Sequence, residues 1–285
     1  MAMSFCKIFP KDAKVMRRIA GECIGAVAML ASVFAATFVR AESENRPVDL
    51  ELILAVDVSS SMTETEQRVQ RDGYINAFRH PDVVRAIGLG AHGAIAVSYI
   101  EWAGPHYKRA VLPRWIIDGQ NEAKRFADAL ANQQIMAEAG TSISGALLHA
   151  ANLFSQHGPT AQRRVIDISG DGLNNTGPPV VPVRDMLVAS GISINGLPIT
   201  LYRDGSHPHE SYGKDYLESY FEHCVIGGPD AFVISINDMS QFEIAIRRKL
   251  VREIAGMPAR VWRASDRRQT SPVFNCTTIH QFMGR

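Results

Sequence analysis

Three short polar stretches hold the side chains best suited to chemistry. They are Asp57-Val58-Ser59-Ser60-Ser61, Gly140-Thr141-Ser142 and Ser169-Gly170-Asp171-Gly172. Each offers hydroxyl or carboxylate oxygen, and none offers sulfur or imidazole. Such donors are hard ligands, matched to Mg²⁺, Mn²⁺ or Ca²⁺ rather than to Zn²⁺ or Cu²⁺. Taken singly, each stretch also fits a plain structural role. Asp, Ser and Thr cap helix N-termini, and Asp-Gly makes turns. Their weight comes from order and placement, because each falls at the end of an expected strand or the start of an expected helix.

The elements that must position these residues alternate in type. Asp49 to Val56 alternates and then turns wholly apolar, as a central strand does. Thr63 to Phe78 follows as a helix, opened by the capping box Thr63/Glu66. Ala94 to Trp102 reads as a strand, and Tyr107 to Leu112 as its hairpin partner across Gly104-Pro105. Helices are expected over Asn121–Asn132, Ser142–Phe154, Pro182–Ser190, Leu217–Cys224 and Ser240–Ala255. Further strands are expected over Arg164–Ser169, Ile192–Ile199 and Ala231–Ile236. The alternation predicts one α/β domain with a mostly parallel central sheet, one antiparallel strand from the hairpin, and helices on both faces. In open sheets of this kind ligands bind beyond the carboxyl ends of the strands. The three polar stretches sit there.

On these residues the chain resembles the von Willebrand factor A (VWA) domain, over roughly residues 48–256. The resemblance implies a Rossmann-like fold and a metal-ion-dependent adhesion site (MIDAS). Its positions are filled here by Asp57, Ser59, Ser61, Thr141 and Asp171. Gly170 stands where many family members carry Thr. The resemblance further implies that the three hydroxyls touch a divalent cation, Mg²⁺ or else Mn²⁺ or Ca²⁺, and that the two carboxylates hold it directly or through water. Neutral inner ligands leave such an ion electrophilic, with a position for an Asp or Glu of a partner protein. In some VWA domains affinity changes as the last helix shifts, which here is Ser240–Ala255. The whole chain also looks like exported bacterial proteins with a single VWA domain.

Other motifs carry less. Gly88-Leu-Gly-Ala-His-Gly93 matches G-x-G-x-x-G but precedes a strand instead of joining strand to helix, so it reads as a loop. Gly140 to Ser144 is a near miss to the nucleophile elbow, lacking its last glycine. Asp204 to Glu210 gathers two imidazoles and two carboxylates, and reads as a second metal site, a recognition loop or a solvated loop. No general base or nucleophile pair is evident beside the proposed ion, so a binding module is favoured over an enzyme. The alternative is a hydrolase or phosphatase using the cation as Lewis acid, with Asp204, His207 or His209 as base. A VWA scaffold that binds its partner without metal is a third possibility.

The 285 residues, 46% hydrophobic and 21% charged, suffice for a sizeable core. A net charge of +1 gives no basic tail for nucleic acid. A mean hydropathy of −0.05 excludes a polytopic membrane protein. Residues 1–41 read as an export signal, with a basic stretch from Lys11 to Arg18, an apolar run from Ile24 to Val39 and a cleavage site at Val39-Arg40-Ala41. The run is shorter than the roughly 20 residues of a membrane span, so membrane attachment requires an uncleaved signal. The expected location is periplasmic or secreted. Of four cysteines, only Cys224 and Cys276 lie beyond the signal, and in an exported chain they are disulfide candidates. Residues 257–285 read as an irregular C-terminal extension tied to the body through Cys276.

Overall fold

The computed structural model describes residues 46–156, 161–201, 215–256 and 275–276. The expected signal at 1–41 and the Asp204–Glu210 cluster lie outside them, as does most of the C-terminal extension.

The sheet has five strands: β1 (Val48–Asp57), β2 (Ile95–Trp102), β3 (Lys108–Ile117), β4 (Ala161–Gly170) and β5 (Ile192–Pro198). Their spatial order is β3-β2-β1-β4-β5, with β1 central. β1 pairs in parallel with β2 and β4, β4 pairs in parallel with β5, and β3 is the single antiparallel edge strand. Strand order therefore reverses on either side of β1, which opens a crevice beyond its carboxyl end. Register makes that end level: Asp57 lies opposite Trp102 of β2, and Val56 opposite Ser169 of β4.

Helices cover both faces. Leu50, Leu52, Leu54 and Val56 of β1 pack into a core with α1 (Glu64–Arg79), α2 (Pro81–Gly88), α3 (Gln120–Ala131) and α7 (Phe242–Ala255). Ile53 and Ala55 point the other way, into a core with α4 (Ile143–Gln156), α5 (Val180–Ala189) and α6 (Tyr216–Tyr220). A strand buried on both sides needs a nearly continuous apolar run, and β1 has one. The capping box is present: the Thr63 hydroxyl accepts from the Glu66 amide, and the Glu66 carboxylate accepts from the Thr63 amide.

Three expectations need correction. β3 runs on past Pro113 to Ile117, beyond the expected end at Leu112. Proline is tolerated there because the strand is an edge, and the β2–β3 register shifts near that point. Ala231–Ile236 is not a strand of the sheet. It lies along β5 through single bridges, Gly196 to Val233 and Ile199 to Ile236, while Asn195 diverts its side-chain oxygen to the Phe232 amide. The expected Leu217–Cys224 helix is α6 followed by a π-helical turn, Phe221–Val225. Cys224 in that turn is buried and disulfide-bonded to Cys276.

The packing of α7 departs from a wholly apolar core. Lys249 and Glu253, a turn apart, are both buried against the sheet. The Lys249 ammonium lies 2.7 Å from Asp167 of β4 and also pairs with Glu253. Asn195 of β5 donates to Glu253 at 2.9 Å. Two carboxylates thus share one lysine. Burial, and next the Glu253 charge, push the Asp167 carboxyl up to about 7, against the pull of Lys249.

Candidate metal centre

The site is assembled from three loops at the level end of the sheet. The first leaves β1. The Ser59 amide donates to Asp57 Oδ1 at 2.7 Å, turning the loop back on its own strand. From beneath, α1 holds its carbonyls: Gln67 Nε2 donates to Val58, Ser59 and Met62, and Gln70 Nε2 donates to Asp57. The loop shape is therefore fixed by buried amide side chains.

The second loop precedes α4. It docks edge-on against the first, with the Ser60 amide donating to Glu138 O at 2.8 Å and the Glu138 amide to Val58 O at 3.2 Å. Gly140 takes a positive φ of 87°, a conformation that glycine adopts without strain, and delivers Thr141 to the site edge. The third loop follows β4 and stitches onto the second. Asn175 Oδ1 accepts from the Thr141 amide, and Asn174 Oδ1 accepts from the Ser144 amide, each at 3.0 Å.

Four of the five expected residues form one hydrogen-bonded chain. The Ser59 and Ser61 hydroxyls are 2.9 Å apart, and Ser61 Oγ donates to Asp171 Oδ1 at 2.7 Å. With the Ser59 amide on Asp57, both serines stand between the two carboxylates. Thr141 is 5% exposed on the adjoining loop; its carbonyl accepts from the Asn175 and Thr176 amides, and its loop meets the Ser59 loop at Glu138. Asp57 is wholly buried, and its Oδ2 has no hydrogen-bond partner. Burial, and then the charge of Asp171, push its carboxyl well above the usual carboxylate range, against hydrogen bonds from Ser59 and the Asp171 backbone. An orphaned buried carboxylate oxygen beside a second carboxylate lacks a positive charge. A divalent cation fits that lack, and hydroxyl and carboxylate oxygens suit a hard one. No group of three His, Cys, Asp or Glu side chains poised for a metal exists among the described residues, so a donor set at this site would have to include hydroxyls.

Gly170 belongs to this geometry. A Cβ there would lie 2.9 Å from Asp57 Oδ2 and 3.3 Å from the Trp102 ring, so the missing side chain lets β4 close on β1.

Residues 47–258 match a family described as a protein of unknown function, DUF1194. The chain belongs to that family. No curated protein matches this DUF1194 chain. Among solved structures, it is similar to proximal thread matrix protein 1 from the mussel byssus, solved with a zinc-occupied MIDAS motif. That match has a TM-score of 0.51 and 15% identity, covering 74% of this chain and 49% of the other. A second crystal form of the mussel protein gives a TM-score of 0.50 and 17% identity, with the same coverage. The pilus adhesin SpaC from Lactobacillus rhamnosus GG gives 0.53 and 14%, covering 73% of this chain and 31% of the adhesin. The DUF1194 chain thus spans about half the length of the mussel protein and under a third of the adhesin. At these identities the likeness is one of fold, and the fold is that of the VWA domain.

Sequence reasoning missed the supports behind the site: Gln67, Gln70, Asn174 and Asn175. A signal for the glutamines was present. Gln67, Gln70, Arg71, Tyr74 and Phe78 lie at helical spacing on one buried face of α1, so polar residues occupied an apolar stripe. Asn174 and Asn175 gave no such signal, because Asn after Asp-Gly also suits an ordinary turn. Asp204, His207 and His209, on which hydrolysis depended, lie outside the described residues. His149, on α4, is half-buried, and burial and then Lys108 lower its pKa.

Proposed function

We propose that this DUF1194 domain is an exported, metal-dependent protein-binding module and not an enzyme. Asp57, Ser59, Ser61, Thr141 and Asp171 hold a divalent cation, Mg²⁺ or else Mn²⁺ or Ca²⁺. When bound, the ion supplies a Lewis-acidic position for an Asp or Glu carboxylate of a partner protein. The protein's own residues do the rest. The buried carboxylates supply the negative charge that retains the ion, and the serine hydroxyls supply neutral oxygens that leave it electrophilic. The glutamines of α1 keep the loop rigid.

One observation carries the reading: Asp57 Oδ2 is buried without a partner beside Asp171, with Ser59 and Ser61 bridging the two carboxylates. The zinc-occupied motif of the mussel protein supports a divalent ion at this loop. The adhesin and the byssus matrix protein support an interaction role. Among the described residues no helix is long and apolar enough to cross a membrane.

Calorimetric titration with Mn²⁺ and Mg²⁺ tests the site. Wild type should take up one ion, and Asp57→Ala should take up none while keeping its circular dichroism. Equal uptake by both proteins would place the ion elsewhere. Capture from envelope extract in Mg²⁺, lost in EDTA, tests the partner arm.

A further inference from the structure

Behind the site lies a charged network to which the proposed ion assigns no role. Glu101, next to the end of β2, is fully buried, and Arg71 of α1 is 4% exposed. Their side chains form an ion pair, Arg71 Nη2 to Glu101 Oε1. Arg109 of β3 approaches the other oxygen of the same carboxylate, Nε to Oε2, at 3.9 Å. Each guanidinium then reaches onward to a backbone carbonyl. Arg71 Nη1 donates to Gln133 O at 2.6 Å, and Arg109 Nη2 donates to Gln134 O at 3.1 Å. Arg71 also lies over the Tyr99 ring, 6.0 Å from its centroid, which leaves the guanidinium little freedom.

Gln133 and Gln134 begin the second loop of the site. Between α3 and α4 this segment has neither helix nor strand, only the bridge between Glu138 and Ser59. An irregular segment of this kind has few internal restraints, and would wander unless held from outside. Its far end is held at Thr141 by Asn175 and Thr176 of the third loop, and the rest is held at two points. The Ser60 and Val58 contacts fix it at Glu138, and the two arginines fix it at Gln133 and Gln134. Thr141 lies just beyond.

Stability alone accounts poorly for this arrangement. Burying a carboxylate and a guanidinium strips hydration from both ions, and apolar residues of the same volume often serve as well. Geometry accounts for it better. A planar guanidinium can bind a carboxylate on one edge and a carbonyl on another, so it transmits the position of a strand to a loop. Glu101 sits on β2 one residue before Trp102, the register partner of Asp57. The network thus refers the Thr141 loop to the same end of the sheet that presents Asp57.

We propose that Glu101, through Arg71 and Arg109, is the positioning residue for the Thr141 loop and thereby sets the affinity of the site for its cation. The inference rests on the cation reading above. Glu101 touches neither the ion nor the partner.

The test uses the full chain and three variants: Glu101→Gln, Arg71→Lys and Arg109→Met. Two quantities are measured: amide hydrogen exchange of residues 133–141 without metal, and Mn²⁺ affinity by calorimetry. Glu101→Gln should speed exchange of 133–141 while leaving β4 and β5 unchanged. It should weaken Mn²⁺ binding by about 10-fold to 100-fold, the usual effect of losing support behind a ligand. Arg71→Lys keeps the charge but not the two-edged contact, and should fall between wild type and Glu101→Gln. Arg109→Met leaves the buried pair intact and serves if Glu101→Gln does not fold; it should loosen 133–141 and weaken Mn²⁺ binding several-fold. Unchanged exchange and affinity in the folded variants would overturn the inference alone. Wild type that takes up no Mn²⁺ would instead remove the cation reading, and the inference with it.

Discussion

Asp167 offers a quantitative test of the buried charges beneath α7. Burial and the Glu253 charge push its carboxyl up to about 7, from about 3.8 for a free side chain. The groups that face it are Lys249 and Glu253 of α7, and its charge is felt by the buried Tyr74 phenol of α1, whose own pKa is raised. A carboxyl with a higher pKa folded than unfolded holds its proton more tightly in the native state. Its contribution is therefore most favourable below about pH 4, is lost as pH rises toward 7, and is flat beyond. A carboxyl held at about 7 instead of about 3.8 corresponds to about 4 kcal/mol, at about 1.4 kcal/mol per pH unit. Asp167→Asn keeps the shape and a carbonyl for Lys249 but cannot titrate. In urea unfolding from pH 4 to pH 8, the variant should gain about 4 kcal/mol on wild type across that window. Asp57, which is shifted in the same direction, is present in both proteins and cancels from the difference. Parallel stability curves would refute the reasoning and would mean that Lys249 keeps Asp167 ionised throughout.

Two further substitutions probe the site and the staple. Gly170→Ala should cost about 1–3 kcal/mol, because its Cβ would press on Asp57 Oδ2 and Trp102. Thermal denaturation measures that cost, and Mn²⁺ titration should show weakened uptake. Cys224→Ser should lose about 4 kcal/mol in the chain-entropy treatment of a bridge spanning 52 residues. Wild type in reductant should unfold at the variant's denaturant midpoint.

Much of this was readable in the residues because burial leaves a periodic trace. β1 is apolar on both sides because helices cover both sides, and its run of Leu, Ile and Val says so. The three polar stretches were legible as loops at one end of the sheet because position and residue type agreed. What escaped had no period of its own. α2 spans two turns, too few for a stripe, and follows α1 with only His80 between them, so its start at Pro81 did not stand out. Ala231–Ile236 has the composition of a strand, yet pairing depends on a neighbour that sequence does not name. Lys249, Glu253 and Arg71 are charged residues in apolar stripes. The anomaly could be seen, but Asp167, Asn195 and Glu101 could be found only once the strands were laid side by side.

The middle strand of the sheet is also the first to be made. When β1 leaves the ribosome neither of its flanks has a mate, and the mate on one side, β4, arrives about a hundred residues later. Until β2 follows, a stretch of leucine, isoleucine and valine stands with both hydrogen-bonding edges bare, and one edge stays bare until β4 follows, a template for any other extended chain. The contact between Ser61 and Asp171, 110 residues apart, closes only when that wait ends. If the site holds a cation as proposed, uptake of the ion also reports that this 110-residue loop has closed.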